Sequence, residues 1–203
     1  MSYLRTTDHP IEPLFLDRWS PRSFEPEIMP DEDLLTILEA ARWAPSAFNI
    51  QPWHFLYATR NGAHWDRFVG VLDDFNKAWA CDAAVLFILL SDTLMPGDAT
   101  RPDRVSSVNS FDAGAAWAHL ALQATARGYH AHAMAGIDRE RARSALAIPA
   151  RFRIEIAIAV GRRGAPERLP GALAEREMPS DRKPLSRIAS PGPFPAGAVG
   201  DFR

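Results

Sequence analysis

Cysteine is nearly absent. The 203 residues hold one, Cys81, so no intramolecular disulfide can form and a disulfide-stapled scaffold is excluded. Lysine is almost as scarce: Lys77 and Lys183 stand against 21 arginines, which leaves few amines for Schiff-base chemistry. Neither sign of charge dominates, since 23 basic and 25 acidic residues give a net charge of -2 and a pI near 6.3. The basic excess that drives sequence-independent nucleic-acid binding is missing. The longest apolar run, residues 83–90, is too short to cross a bilayer as a helix and suits a buried strand. The first ten residues carry Arg5, Asp8 and His9 but no apolar signal core, which with the lone thiol leads us to expect a cytoplasmic protein.

Familiar catalytic signatures are missing too. No Gly-x-Gly-x-x-Gly and no Gly-x-x-x-x-Gly-Lys-Ser/Thr occurs, so neither glycine-rich phosphate cradle is available. Ser20, Ser46 and Ser180 sit outside any Gly-x-Ser-x-Gly elbow. His130 and His132 could share one side of a strand, but two imidazoles without a cysteine or carboxylate set make a weak metal site; structural histidines are the better reading, and we expect no metal. Asp31-Glu32-Asp33 and Asp73-Asp74 fit helix N-termini or solvated faces and need no acid/base role.

What is present is an ordinary globular composition, 47% apolar and 10% aromatic, enough for one substantial core. Leu34, Ile37, Leu38 and Ala41 have helical spacing behind three first-turn acids, predicting a helix over residues 31–43 that Pro45 stops. A strand is expected from Trp53 to Ala58. Trp65, Phe68, Val69, Leu72 and Phe75 predict one amphipathic helix, and the polar loop over residues 92–107 is the best candidate for a mobile substrate cover. An Ala-rich helix over residues 110–127 should end at Gly128. After a short strand at residues 129–134, Asp138 can cap a helix to about Leu146. Ile154, Ile156, Ile158 and Val160, alternating with Arg153, Glu155, Ala157 and Ala159, read as a strand with one apolar face. The Pro/Gly-rich stretch from Pro191 to Gly200 is expected to be disordered or an arm laid across another surface. Strands separated by helices imply an α/β or α+β sheet protein of open strand order.

Three segments combine anion donors with amide donors where the backbone is irregular: Arg18-Trp19-Ser20-Pro21-Arg22, residues 45–52, and Arg182-Lys183-Pro184-Leu185. Arg18, Ser20, Arg182 and Lys183 offer the forked, point-charge and hydroxyl donors that hold a phosphate. Asn49 and Gln51 offer both donors and acceptors, as a planar heterocycle needs. Each also has a plainer reading: a solvated turn, amides that satisfy their own loop, and tail charge.

Four motifs, in order, carry a family resemblance: Arg18-Trp19-Ser20-Pro21-Arg22-Ser23-Phe24; the run from Leu38 through Pro45-Ser46-Ala47-Phe48-Asn49-Ile50-Gln51-Pro52 to Trp53; Met134-Ala135-Gly136-Ile137-Asp138; and Pro179-Ser180-Asp181-Arg182-Lys183-Pro184-Leu185. Through them the chain resembles the FMN-dependent nitroreductase family over nearly its whole length. The resemblance implies an α+β fold, a mixed central sheet wrapped by helices, in one domain over residues 1–203. It also implies a tight homodimer with exchanged terminal segments, residues 191–203 forming the Pro/Gly-rich arm, and FMN at each of two subunit interfaces.

By the same likeness Arg18, Trp19 and Ser20, with Arg182 and Lys183, would meet the phosphate and ribityl chain, and Arg22 the flavin N1/O2 edge. Pro45, Ser46, Asn49 and, more weakly, Gln51 would come from the partner subunit. Asn76 would place an amide against the ring, and Ala135-Gly136 a backbone N–H toward N5. Where some relatives carry a lysine near the flavin, this chain has Trp79. The implied activity is hydride transfer from NADH or NADPH through FMN to a nitroaromatic, quinone or enone, with no nucleic acid or membrane as partner. A flavin-storing protein and a flavin-independent interaction protein are the alternatives.

Overall fold

A computed structural model of the chain describes residues 5–194. In chain order the elements are α1 (Pro13–Asp17), α2 (Asp31–Arg42), β1 (Trp53–Thr59), α3 (Trp65–Gly70), α4 (Asp74–Ala80) and β2 (Val85–Asp92). They continue with β3 (Leu94–Met95), β4 (Arg104–Val105), α5 (Asn109–Ala126), β5 (His130–Met134), α6 (Arg139–Ala145), β6 (Phe152–Gly161) and α7 (Gly171–Ala174).

The main sheet runs β1-β2-β6-β5, and each neighbouring pair is antiparallel. The α+β class is as expected. The mixed sheet that the resemblance implies is not formed among the described residues, and the expected arm at residues 191–203 lies mostly outside them. β2 divides its side chains by the period of two: Leu86, Ile88 and Leu90 enter one core, Val85, Phe87 and Leu89 the other. The first core is roofed by Phe68 of α3, Trp79 of α4 and Ala142 of α6; the second by Leu34, Ile37 and Ala41 of α2 with Leu120, Ala121 and Ala124 of α5. Helices thus cover both faces of the sheet. Each large side chain so buried contributes about 1.5–3 kcal/mol over leaving it in water.

Several ends follow their local chemistry. Asp73 and Asp138 accept from the backbone N–H groups of Asn76 and Arg141 and so cap α4 and α6. Gly128, at φ 77°, closes α5 while the Tyr129 N–H returns to the Ala124 carbonyl at 2.8 Å. Asp33, in the first turn of α2, binds Arg127 and Tyr129 beyond the end of α5 and ties the two helices together.

Three expectations change. The single helix drawn through Trp65 and Phe75 is two, broken at residues 71–73, because Leu72 makes a bridge with Ile137 and Asp73 starts a new helix as its cap. The helical phase restarts there, so Phe75 is exposed. Second, Ile154 does not share a core with Ile156, Ile158 and Val160. Leu89 pairs with Ile156 and Leu90 with Ile154, so Glu155 is an extra, bulged residue and the faces exchange across it. Third, residues 92–107 are not loop throughout. β3 and β4 pair there, and Arg151 holds Asp92 at 2.7 Å and Asp103 at 3.2 Å.

Candidate functional site

The break before α4 brings Asn76 to the loop after β5. Its side-chain N–H donates to the Gly136 carbonyl at 3.2 Å, and the Asp73 N–H reaches the same oxygen at 3.2 Å. A Cβ on Gly136 would lie 2.0 Å from Asp73 Oδ2 and 2.3 Å from Asn76 Nδ2, so only glycine permits this approach. Ala135 beside it is exposed.

On the neighbouring side of β5 lies the irregular segment between α1 and Phe24. Arg18 donates to Ser20 Oγ at 3.3 Å. The Trp19 side chain is buried, edge-on to His130 with ring centres 6.2 Å apart and beneath the Arg163 guanidinium, so its ring is taken up by packing. The Arg22 N–H donates to Glu177 Oε1 at 2.7 Å and the Ser23 N–H to the same oxygen at 2.8 Å. Arg22 Nε is buried without a hydrogen-bond partner. His132 Nδ1 lies 2.8 Å from the Pro21 carbonyl. A carbonyl oxygen only accepts, so the proton sits on Nδ1. The imidazole rests on Trp79, ring centres 4.7 Å apart.

Positive charge is crowded here. Burial lowers the Arg18 pKa first, and the positive charges of Arg182 and Arg5 lower it further. Arg5 is lowered in turn by burial and by Arg182, with Asp181 opposing. The charges of Arg182 and Arg5 thus oppose that of Arg18, a repulsion that a bound anion would relieve. Arg5 joins the group by donating to the Leu16 and Arg18 carbonyls, both at 2.9 Å. Arg182 bonds its own segment, at the Ser180 and Asp181 carbonyls, while its charge faces Arg18; Lys183 follows it in the exposed stretch.

The segment over residues 45–52 stands elsewhere, against α5. The Ala47 N–H donates to the buried Asp112 carboxylate at 3.1 Å, and the Gln51 N–H to Ser46 Oγ at 2.9 Å. Gln51 turns its amide on the Asn49 carbonyl at 2.9 Å, the plainer role of satisfying its own loop. Phe48, Asn49 and Gln51 have φ of 53°, 56° and 56°, the left-handed region that costs non-glycine residues about 1–2 kcal/mol each. Phe48 is 84% exposed, and Pro45 is exposed at the loop's start. Gln51 also lines an open cavity of about 250 Å³ beside His54, Leu94, Pro96 and Arg151. The expected site residues make their contacts in two sets: Arg18, Trp19, Ser20, Arg22, Asn76, Ala135 and Gly136, with Arg182 and the adjoining Lys183, toward β5 and α4, and Pro45, Ser46, Asn49 and Gln51 in the loop bonded to α5.

Sequence reading missed Arg5, Glu177 and the hydrogen bonds of His132 and Asp112 to the Pro21 carbonyl and the Ala47 N–H. Nothing local marks them, since their partners lie 13, 155, 111 and 65 positions away. Burial, followed by Arg163 and Arg18, lowers the His130 pKa to about 4. For His132 burial again leads, with Arg22 and Arg18 adding to it and the Pro21 bond opposing, and the value is also about 4. Among the described residues no cluster of three His, Cys, Asp or Glu is placed to hold a metal, and no helix is long and apolar enough to cross a membrane.

Comparison with known proteins adds family evidence to this geometry. The model of the Nitroreductase family matches residues 16–71 and 64–162. A crystal structure described as an oxidoreductase containing FMN is 46% identical, with a TM-score of 0.92, over 96% of this chain and 99% of that one. The NADH dehydrogenase of Thermus thermophilus is 28% identical over 85% of this chain and 91% of its own length. The CLA biosynthesis enone reductase of Lactiplantibacillus plantarum is 26% identical over 73% and 83%.

Proposed function

The chain belongs to the nitroreductase family, and on that premise we propose that it is an FMN-dependent oxidoreductase fed by NADH or NADPH. The observation that carries the reading is the convergence near β5: a self-repelling arginine group beside a hydroxyl, a buried Arg22 Nε without a partner, and a glycine approach framed by Asn76. These donors fit a phosphorylated planar cofactor. When bound, FMN supplies hydride acceptance and return in ping-pong order, to a nitroaromatic, quinone or enone.

Arg18 and Ser20, with Arg182 and Lys183, hold the phosphate by charge-assisted bonds. Arg22 sets a fixed positive charge beside the pyrimidine edge, where reduction adds negative charge. Asn76 and the Gly136 backbone face the ring, and the absence of a Cβ at Gly136 leaves access. Trp79 stands where some relatives carry a lysine, so this chain places one cation fewer there. No protein nucleophile or strong base is required.

The same reading makes residues 1–203 one domain whose functional unit is a homodimer. The second set, Pro45, Ser46, Asn49 and Gln51, then serves the cofactor of the partner subunit. The hydrogen bonds of the second set, which go to Asp112 of α5 and to its own loop, support this arrangement. A cytoplasmic location agrees with it.

Anaerobic addition of NADH or NADPH to FMN-loaded protein is the test. Bleaching within seconds and reoxidation by a nitro compound, quinone or enone is expected. A flavin that stays oxidised would instead make this a flavin-storing protein, and colourless material after reconstitution would remove flavin from the account.

A further inference from the structure

The segment from Trp19 to Ser23 carries Ser20 and Arg22, yet it belongs to no helix and no strand of the main sheet, so its backbone must be held by other means. One peptide group, between Pro21 and Arg22, is held at both poles. Its carbonyl accepts from His132 Nδ1 at 2.8 Å, and its N–H donates to Glu177 Oε1 at 2.7 Å. A peptide is planar and stiff, so fixing both poles fixes the plane and the Arg22 Cα, and the Ser23 N–H held on the same Glu177 oxygen restrains the peptide that follows, so the side chain departs between two anchored planes. We propose that His132 and Glu177 form a clamp on the Pro21–Arg22 peptide and are positioning residues that aim Ser20 and Arg22 at the cofactor. The proposal rests on the FMN reading above and deepens it.

Both jaws are themselves supported. His132 lies on β5 and packs at a tilt of 40° against Trp79, which is 2% exposed and stacks in turn on Phe24. Glu177 also takes the Ser23 N–H, while Ser23 Oγ donates to the Ala165 carbonyl at 2.6 Å. Glu177 precedes Arg182 in the same segment, so the clamp links the two stretches that supply phosphate donors. The charges suit their tasks. Neutral imidazole donates a proton without adding a cation beside Arg22 and Arg18, and the carboxylate offers an acceptor that two N–H groups share.

Four variants and one spectrum test the clamp. His132→Leu and Glu177→Ala each remove a jaw, whereas His132→Asn retains an N–H donor near the place of Nδ1 and Glu177→Gln retains an acceptor. FMN binding to apoprotein, followed by fluorescence quenching, should weaken about tenfold in the first pair and less than about threefold in the second. The midpoint potential of bound flavin should fall in the first pair, because Arg22 is no longer held against the ring; a merely structural residue would lower the melting temperature and leave the potential unmoved.

Long-range ¹H–¹⁵N spectra of the wild-type apoprotein should show His132 protonated at Nδ1. Protonation at Nε2, or unchanged affinity and potential in folded His132→Leu, would overturn the clamp. Failure of the wild type to bind FMN would overturn the cofactor reading instead, and the tautomer would still decide whether the peptide is gripped.

Discussion

Asn76 reaches across from α4 to the Gly136 carbonyl at 3.2 Å, and the close packing that this requires leaves no room for a side chain at position 136. The contact depends on Asp73, which accepts from the Asn76 N–H at 2.8 Å and fixes where the helix begins. Gly136→Ala should therefore cost about 1–3 kcal/mol of stability by overpacking. Urea denaturation of the apoprotein measures it; an unchanged midpoint would mean that the loop gives way freely.

Arg18→Ala should act in opposite directions with and without cofactor. FMN retention should weaken by about 1–3 kcal/mol through the lost charge-assisted bond. Apoprotein stability should hold or rise, since repulsion among Arg18, Arg5 and Arg182 is relieved. Calorimetry of both forms checks the two signs, and equal losses in each would contradict an anion site here.

Arg22→Ala should lower the potential of the bound flavin more than it weakens binding, because its charge stabilises the reduced form selectively. Spectroelectrochemistry showing no shift would remove Arg22 from the pyrimidine edge.

Acid should destabilise the fold through two half-buried histidines, His130 and His132. Both have pKa values lowered to about 4 from 6.5, so the unfolded chain binds protons before the native one does. Their contribution is complete above pH 6.5 and is lost as the pH falls from there through about 4. NMR titration of native protein should place both imidazole midpoints near 4; midpoints near 6.5 would show them to be solvated.

Asp112→Ala should loosen the loop over residues 45–52 by leaving the Ala47 N–H unpaired, beside three residues already at positive φ. Stability should fall by about 1–3 kcal/mol, and FMN affinity should fall several-fold if the loop serves a partner's cofactor. Binding titration of the variant tests this, and unaltered affinity would separate the loop from the cofactor.

Much of this architecture was readable from composition and spacing. The first-turn acids of α2, the cap at Asp138, the Gly128 terminus and the apolar run of β2 involve residues within a few positions of one another, so local periodicity and side-chain chemistry were enough to find them. Arg18 and Arg182 could be proposed as phosphate donors from guanidinium chemistry alone, whereas the place of Arg22 rested on the family resemblance. The bulge at Glu155, the restart of the helix at Asp73, the addition of Arg5 and the grip of His132 and Glu177 on one peptide were not legible. Each depends on a neighbour contributed by a distant part of the chain, and which strands pair, in what register, is settled by the packing of the whole core and not by any stretch that a sequence pattern spans.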